Sequence, residues 1–182
     1  MSILTLTTDF GTRDAYVATM KGTILSIHPS VRLVDVTHQI TPQDVMEAAF
    51  VLQQAVPFFP PDTVHLVVVD PGVGPERRPV ALRHRGHLFV GPDNGLFTLL
   101  LDGVAPDELV VLDRPRFWRS EAISTTFHGR DVFAPVAAHL AAGRPLHEAG
   151  TPAEALKPLH WALPIADEQG IQGWVVHVDH FG

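Results

Sequence analysis

Cysteine is absent from the sequence, which excludes disulfide bonds and thiolate chemistry and fits a reducing cytoplasm. No apolar run approaches the roughly 18 residues that a membrane-spanning helix needs. The opening segment MSILTLTTDF lacks the basic start of a signal peptide. Basic residues are also few: 13 Lys and Arg face 20 Asp and Glu, for a formal net charge of −7. We therefore expect a cytoplasmic protein that partners neither a membrane nor a nucleic acid.

Familiar ligand-binding motifs are missing as well. Neither G-x-G-x-x-G nor G-x-x-x-x-G-K-[ST] occurs, so a diphosphate cradle is not expected. The patterns H-x-H and H-x-x-E-H are absent too, and zinc ligands are usually closely spaced in sequence. A metal site built from distant side chains stays open as an alternative. Its candidate ligands are Asp9, His38, Asp70, His128 and Asp131.

Apolar residues, by contrast, are plentiful. Of the 182 residues, 46% are hydrophobic and 18% charged, which fits one domain, or one domain and the start of another. The run VHLVVV at 64–69 predicts a strand buried on both faces. It ends at Asp70, and a Pro-Gly turn follows before Arg77. Ligands of open α/β sheets bind outside the carboxyl ends of the strands, so Asp70 either contacts a ligand or caps its own loop.

The order of the predicted elements up to residue 69 is β-α-β-α-β, which favours a parallel sheet covered by helices. Asp14 is the predicted N-cap of the first helix, and Thr41 that of the second, with Pro42 at the first helical position and Asp44 at the third. The predicted strands lie at 3–8, 32–37, 64–69, 80–85, 87–90, 108–113 and 172–178, the helices at 15–27, 42–57 and 132–142, and a linker at 144–169.

Four short segments share one design, in which a polar residue stands next to glycine at or near the end of an apolar segment. They are TTDFG at 7–11, VDPGVG at 69–74, GPDNG at 91–95 and TFHGRD at 126–131. Glycine lets the backbone approach a ligand closely. Together these segments and the following arginine offer Asp9, Asp70, Arg77, Asp93, Asn94 and His128 to one pocket.

The chemistry of these side chains fits a site that activates water. An arginine within ~4–6 Å keeps an aspartate such as Asp70 ionised, and a histidine such as His128, with a reference pKa of about 6.5, exchanges a proton near neutrality. A carboxylate after the first strand, Asp9, suits the two hydroxyls of a ribose. Each has a structural alternative: Asp9 as a cap, and His128 as a buried histidine bonded to a backbone carbonyl.

Seven motifs, in this order over nearly the whole chain, resemble those of the S-adenosyl-L-methionine hydroxide adenosyltransferases, whose superfamily also contains the fluorinase and the chlorinase. The motifs are TTDFG at 7–11, KG at 21–22, DVTH at 35–38, VVVDPGVG-x-x-R at 67–77, PDNG at 92–95, TFHGRD at 126–131 and VDHFG at 178–182.

The resemblance implies hydrolysis of S-adenosyl-L-methionine by water, giving adenosine and L-methionine without a cofactor. It also implies a homotrimer with sites at subunit interfaces. The expected fold is a three-layer α/β domain with a largely parallel sheet over residues 1–163. Residues 164–182 would be a linker and the first strand of a C-terminal β-barrel-like domain that is cut off at Gly182.

The resemblance also implies roles for particular residues. Asp70, Arg77 and His128 would be catalytic, with Arg78 as a neighbouring alternative to Arg77. The substrate-binding residues would be Asp9 for the ribose, Asp14 and Tyr16 for the methionine moiety, and Thr126 and Phe127. Water needs a group to accept its proton, whereas a halide needs only a dry pocket, so this set favours water. A metal-dependent hydrolase, or a nucleoside-binding module without turnover if the chain is truly truncated, are the alternatives.

Overall fold

The computed structural model describes residues 2–74, 76–120, 124–159 and 164–182. The strands are β1 (Ile3–Thr8), β2 (Arg32–Thr37), β3 (Val64–Val68), β4 (Pro79–His84), β5 (His87–Pro92), β6 (Glu108–Val111), β7 (Thr151–Pro152), β8 (Ile165–Asp167) and β9 (Gly170–Gln172). The α-helices are α1 (Tyr16–Ile27), α2 (Val45–Ala55), α3 (Thr98–Leu101) and α4 (Ala134–Ala141). None of the helices in these ranges is long and apolar enough to cross a membrane.

Within the described residues, β1 to β7 form one sheet in the order β2-β1-β3-β5-β4-β6-β7. The first four strands of this order are parallel, β4 is antiparallel to both its neighbours, and β7 is antiparallel to β6. All strands of this sheet except β4 and β7 therefore run in one direction, which confirms the prediction of a largely parallel sheet.

The sheet lies between two layers of helices, as predicted. Side chains of β3 alternate between two hydrophobic cores, with Leu66 in one and Val67 in the other. Helices α1 and α4 pack together over the first core, and α2 and α3 pack together over the second. This alternation is why the run at 64–69 is apolar throughout.

The connections that follow β1 and β2 run in opposite directions across the sheet. Helix α1 leads to β2 on one side of β1, and α2 then leads back across to β3 on the other side. A crevice forms at such a point, beyond the carboxyl ends of the two strands, and is the usual ligand site of open α/β sheets. Asp9 follows β1 and Asp70 follows β3, so the topology brings both carboxylates to this crevice.

The predicted starts of two helices are wrong. The N-cap of α2 is Asp44, whose Oδ1 accepts from the Glu47 N–H at 2.9 Å, and not Thr41. Gln43 has a φ of +69°, a left-handed conformation that cannot belong to the helix. Helix α1 begins after Ala15 without a side-chain cap, so Asp14 does not cap it.

The helix predicted at 132–142 is shorter in the structure because a wider turn precedes it. Gly129–Phe133 forms a π-helical turn, and α4 starts only at Ala134. Pro135 has no N–H with which to bond the Asp131 carbonyl four residues earlier. That carbonyl accepts instead from the Arg119 N–H at 2.9 Å, which ties the loop before the turn to the turn itself.

Two predictions for the C-terminal third are also wrong. Part of the predicted linker at 144–159 is folded onto the sheet, because β7 pairs with β6, and Leu146 and Leu159 are buried. The strand expected at 172–178 does not form, because residues 173–178 belong to no strand. A hairpin of β8 and β9 lies before these residues, in which Asp167 Oδ1 accepts from the Gly170 N–H at 3.1 Å. The domain boundary predicted after residue 163 adjoins residues 160–163, which lie outside the described residues, and stays a prediction.

Candidate active site

A cavity of about 380 Å³ opens at the carboxyl ends of β1 and β3. This volume lies within the range of about 300–1,000 Å³ that is typical of small-molecule sites. The residues that line it include Asp9, Tyr16, Asp70, Thr126, Phe127 and His128. Segments far apart in sequence thus meet at the crevice that the topology creates.

Asp70 and Arg77 form a two-point ion pair beside this cavity. Arg77 Nε donates to Asp70 Oδ1 at 3.0 Å, and Arg77 Nη2 donates to Asp70 Oδ2. Their side chains are only 5% and 6% exposed, and the Phe133 ring lies 4.9 Å below the guanidinium. Such a two-point pair fixes orientation as well as proximity, so the Asp70 carboxylate is held in one position.

His128 joins the pair through the same guanidinium. Arg77 Nη2 lies 3.0 Å from His128 Nδ1, and because a guanidinium can only donate, Nδ1 accepts. The proton of a neutral His128 ring is therefore assigned to Nε2. Burial, and then the Arg77 charge, lower the pKa of His128 below its usual 6.5, against the opposing pull of Asp70 and Asp131. His128 is thus neutral at pH 7, with an N–H donor at Nε2.

The neighbouring arginine belongs to a different cluster. Arg78 Nε donates to Asp93 Oδ2 at 2.9 Å, and Asp93 Oδ1 accepts from the Lys157 N–H at 2.7 Å. Asn94 is also engaged elsewhere, because its Nδ2 donates to the Val69 carbonyl at 2.9 Å. Arg77, and not Arg78, therefore contacts Asp70 and His128. The expectation that Asp93 and Asn94 face the same pocket is wrong, because neither lines the cavity.

Asp9 is held at the cavity by a backbone group of the loop before α2. Its Oδ2 accepts from the Gln43 N–H at 2.8 Å, and the left-handed conformation of Gln43 is part of this arrangement. We did not predict a role for Gln43. The sequence signal that was available is the Asp44-x-x-Glu47 capping pattern, which places the helix start after Gln43.

Aromatic rings form a side wall of the cavity. The Tyr16 and Phe127 ring centroids are 5.6 Å apart, and Phe10 packs edge-on against Tyr16 at 5.9 Å. Tyr16 is 42% exposed and Phe127 39% exposed, so the wall presents apolar surface to a ligand. Asp14 is exposed and does not line the cavity; its contact with a methionine moiety stays a prediction.

The candidate metal ligands are engaged with protein groups. Arg119 and Arg130 donate to Asp131 through their Nε atoms at 2.8 and 2.7 Å, and the Ser124 N–H donates to it at 3.0 Å. Burial opposes ionisation of Asp131, but the bonds from Arg130, Ser124 and Arg119 outweigh it and hold its pKa well below the usual range. In the part of the chain that the structure describes, no three His, Asp or Glu side chains are arranged to hold a metal ion.

Comparisons with known proteins point to one family. A family model for the S-adenosyl-L-methionine hydroxide adenosyltransferase N-terminal domain matches residues 4–150. A protein of Salinispora arenicola named (R)-S-adenosyl-L-methionine hydrolase is 47% identical over 184 residues, covering 98% of this chain and 69% of the relative. A fluorinase of an Actinoplanes species is 30% identical over 204 residues, covering 98% of this chain and 68% of its own.

A solved structure has the same fold. It belongs to an uncharacterized conserved protein from Thermotoga maritima, with a TM-score of 0.91 and 39% identity, covering 99% of this chain and 68% of that one. By sequence identity, the chain is more similar to the hydrolase of Salinispora arenicola, at 47%, than to the Actinoplanes fluorinase, at 30%.

Proposed function

The chain belongs to the S-adenosyl-L-methionine hydroxide adenosyltransferase family, and we propose that it hydrolyses S-adenosyl-L-methionine to adenosine and L-methionine. One observation carries the proposal: Arg77 joins Asp70 and His128 beside the cavity that Asp9 also lines. The side chains proposed to activate water and the carboxylate proposed to bind ribose, Asp9, therefore border the same cavity.

The reaction needs help only for its nucleophile. A water oxygen attacks the ribose C5′, the C5′–S bond breaks, and its electron pair returns to sulfur. Methionine leaves as a neutral thioether, so no acid is required, but the water must lose a proton. A halide would have no proton to lose and would instead need a pocket that strips its hydration, so the Asp–Arg–His set favours water.

The hydrogen bonds favour Asp70 as the group that takes this proton. His128 Nδ1 already accepts from Arg77, and its Nε2 carries a hydrogen, so the neutral ring donates to the water oxygen. The carboxylate of Asp70 can only accept. The water acidifies as the new C–O bond forms, and Asp70 receives its proton in that step, while Arg77 keeps both partners aligned.

The substrate would lie between Asp9 and the aromatic wall. We propose that Asp9 accepts from the ribose hydroxyls, as carboxylates of dinucleotide sites do. Tyr16 and Phe127 would contact the methionine moiety and adjoining sugar, with Thr126 beside them. The resemblance supports three further parts of the proposal: a homotrimer with sites between subunits, a β-barrel-like unit beginning at residue 164, and a cytoplasmic enzyme that needs no cofactor.

The decisive experiment follows both products. The purified protein is incubated with S-adenosyl-L-methionine and EDTA in water enriched in ¹⁸O, and chromatography with mass spectrometry quantifies adenosine and methionine. We expect both in equal amounts, with the label in adenosine, because attack at C5′ places the water oxygen there. Loss of activity with EDTA would favour a metal-dependent hydrolase, and adenosine binding without turnover would favour a binding module.

A matched pair of variants tests the assigned base. Asp70→Asn should lower kcat by about 10²–10⁴-fold, the usual contribution of a general base. Asp93→Asn is the control, because Asp93 is also a buried aspartate paired with the adjacent arginine but lies outside the cavity. Equal losses of kcat in the two variants, at equal melting temperatures, would overturn the assignment.

A further inference from the structure

Two of the sequence motifs play no part in the cavity, yet they meet beside it. Lys21, from the KG motif, donates from Nζ to Asp35 Oδ2 at 2.6 Å. Asp35 and His38 belong to the DVTH motif, and His38 Nε2 lies 3.1 Å from Asp35 Oδ1. At its other side, His38 Nδ1 lies 2.9 Å from Thr8 Oγ1 at the end of β1. We call these four side chains the His38 relay.

The donors and acceptors of the His38 relay alternate. Asp35 Oδ1, which can only accept, lies 3.1 Å from His38 Nε2, so the ring proton is assigned to Nε2 and Nδ1 accepts from the Thr8 hydroxyl. The Phe10 N–H in turn donates to Thr8 Oγ1 at 3.3 Å. Burial opposes ionisation of Asp35, but the contacts from Lys21 and His38 prevail and lower its pKa. The His38 N–H is not well aligned with the Asp35 oxygen, so the Thr8 contact is the better-formed link.

His38 forms hydrogen bonds with both ends of the turn that contains Asp9. Its side chain bonds Thr8, the residue before Asp9, and its carbonyl accepts from the Gly11 N–H at 2.7 Å. Gly11 has a φ of +64°, which favours glycine. Asp9 and Phe10, which lie between these two contacts, both line the cavity.

We propose that His38 is a positioning residue, which sets the placement of the Asp9 carboxylate through Thr8 and Gly11. This inference rests on the proposed role of Asp9 in holding the ribose. His38 is 5% exposed and does not line the cavity, so it acts through the Asp9 turn and does not touch the substrate. Removing a hydrogen bond to this turn should therefore lower the affinity for the nucleoside.

Strand β1 offers a matched control. Thr5 Oγ1 lies 2.8 Å from His65 Nδ1, and both residues are fully buried. This threonine–histidine pair resembles that of Thr8 and His38 in residue types and burial, but Thr5 is three positions further from Asp9 along the strand. Valine has nearly the shape of threonine, so Thr8→Val and Thr5→Val each remove one buried hydroxyl.

The test measures binding as well as turnover. We expect Thr8→Val to raise KM for S-adenosyl-L-methionine and the Kd for adenosine about tenfold, a change worth ~1.4 kcal/mol, with a smaller effect on kcat. Thr5→Val should lower the melting temperature about as much as Thr8→Val does, without changing KM or the Kd for adenosine. In an Asp9→Asn background, Thr8→Val should cause little further loss, because the two changes act on the same contact.

Variants of His38 itself separate its two ring nitrogens. The amide of asparagine reaches the position of Nδ1, and that of glutamine the position of Nε2. His38→Asn should therefore keep adenosine affinity nearer to the original than His38→Gln does.

Equal effects of Thr8→Val and Thr5→Val on Kd and KM, or full additivity of Thr8→Val with Asp9→Asn, would overturn the inference and leave His38 as core packing. Adenosine affinity is read by calorimetry without any turnover. If the protein bound adenosine in this pattern but did not cleave S-adenosyl-L-methionine, the proposed function would fail while the role of His38 would stand.

Discussion

Arg77 donates to His128 Nδ1 at 3.0 Å, and it does so with the same Nη2 that bonds Asp70. One planar cation therefore fixes both the position of the carboxylate and the tautomer of the imidazole. A point charge could supply attraction but not this shared geometry. The division of labour that we propose, with Asp70 accepting and His128 donating, depends on that contact.

Replacing Arg77 by lysine tests this dependence. An ammonium keeps the charge but loses the two-point bond to Asp70, so Arg77→Lys should lower kcat about 100-fold with a small change in melting temperature. Arg78→Lys is the control, because Arg78 bonds Asp93 outside the cavity. Steady-state kinetics of both variants make the comparison, and a fully active Arg77→Lys would contradict the assigned role.

The pH profile should follow His128. Burial and Arg77 lower the pKa of His128 below 6.5, so the ring is mostly neutral at pH 6.5 and becomes protonated only at lower pH. Protonation then places a hydrogen on Nδ1 against the Arg77 donor and breaks the contact. We expect kcat/KM to be flat near neutrality and to fall only below pH 6.5 when measured from about pH 5 to about pH 8. An acid limb centred above pH 6.5 would disagree with this geometry.

Asp131 should matter for stability far more than either of its arginines. Asp131 is 1% exposed and accepts from Arg119, Arg130 and Ser124. Asp131→Ala leaves several donors without an acceptor and should cost about 3–5 kcal/mol of unfolding free energy. Arg119 is 48% exposed and Arg130 is 30% exposed, so Arg119→Ala or Arg130→Ala should cost about 1 kcal/mol or less. Urea denaturation of the three variants checks the ranking, and equal losses would refute it.

His65 should make folding sensitive to acid. Burial, and then the proximity of His87, lower the pKa of His65 from 6.5 to about 3, so below pH 6.5 the unfolded chain takes up a proton that the folded chain does not. The unfolding free energy should therefore fall as the pH drops from 6.5 towards 3, by at most ~1.4 kcal/mol per pH unit. His65→Gln removes this component, and denaturation at pH 7 and at about pH 5 should show a smaller difference than in the original protein. An unchanged pH dependence would contradict the prediction.

The sequence predicts the β3 strand and Asp70 well because both rest on local patterns. A run that is apolar at every position has few alternatives to a strand buried on both faces, and a carboxylate before Pro-Gly must lie at its end. The placement of Asp70, Arg77 and His128 in one pocket was a hypothesis from polar residues beside glycine, and the family resemblance then implied it more specifically. A local pattern alone could not establish their contact, because 51 positions separate Arg77 from His128.

Other features depend on which way a side chain or peptide faces, and local patterns do not determine that. Arg77 and Arg78 are adjacent and chemically alike, but one bonds Asp70 and the other Asp93. The bond from the Gln43 N–H to Asp9 spans two separate loops. The segment at 144–159 contains prolines and polar residues, yet Leu146 and Leu159 fill gaps in the two cores, which only the folded sheet creates.

Pro135 lacks the amide hydrogen with which an ordinary residue would bond the Asp131 carbonyl. The Asp131 carbonyl accepts from the Arg119 N–H instead, and Gly129–Phe133 forms the wide π-helical turn. An ordinary residue at 135 could close a regular turn there and would compete for that oxygen. A proline, usually regarded as a helix breaker, is thus accommodated in the first turn of α4, directly after the wide turn that follows His128.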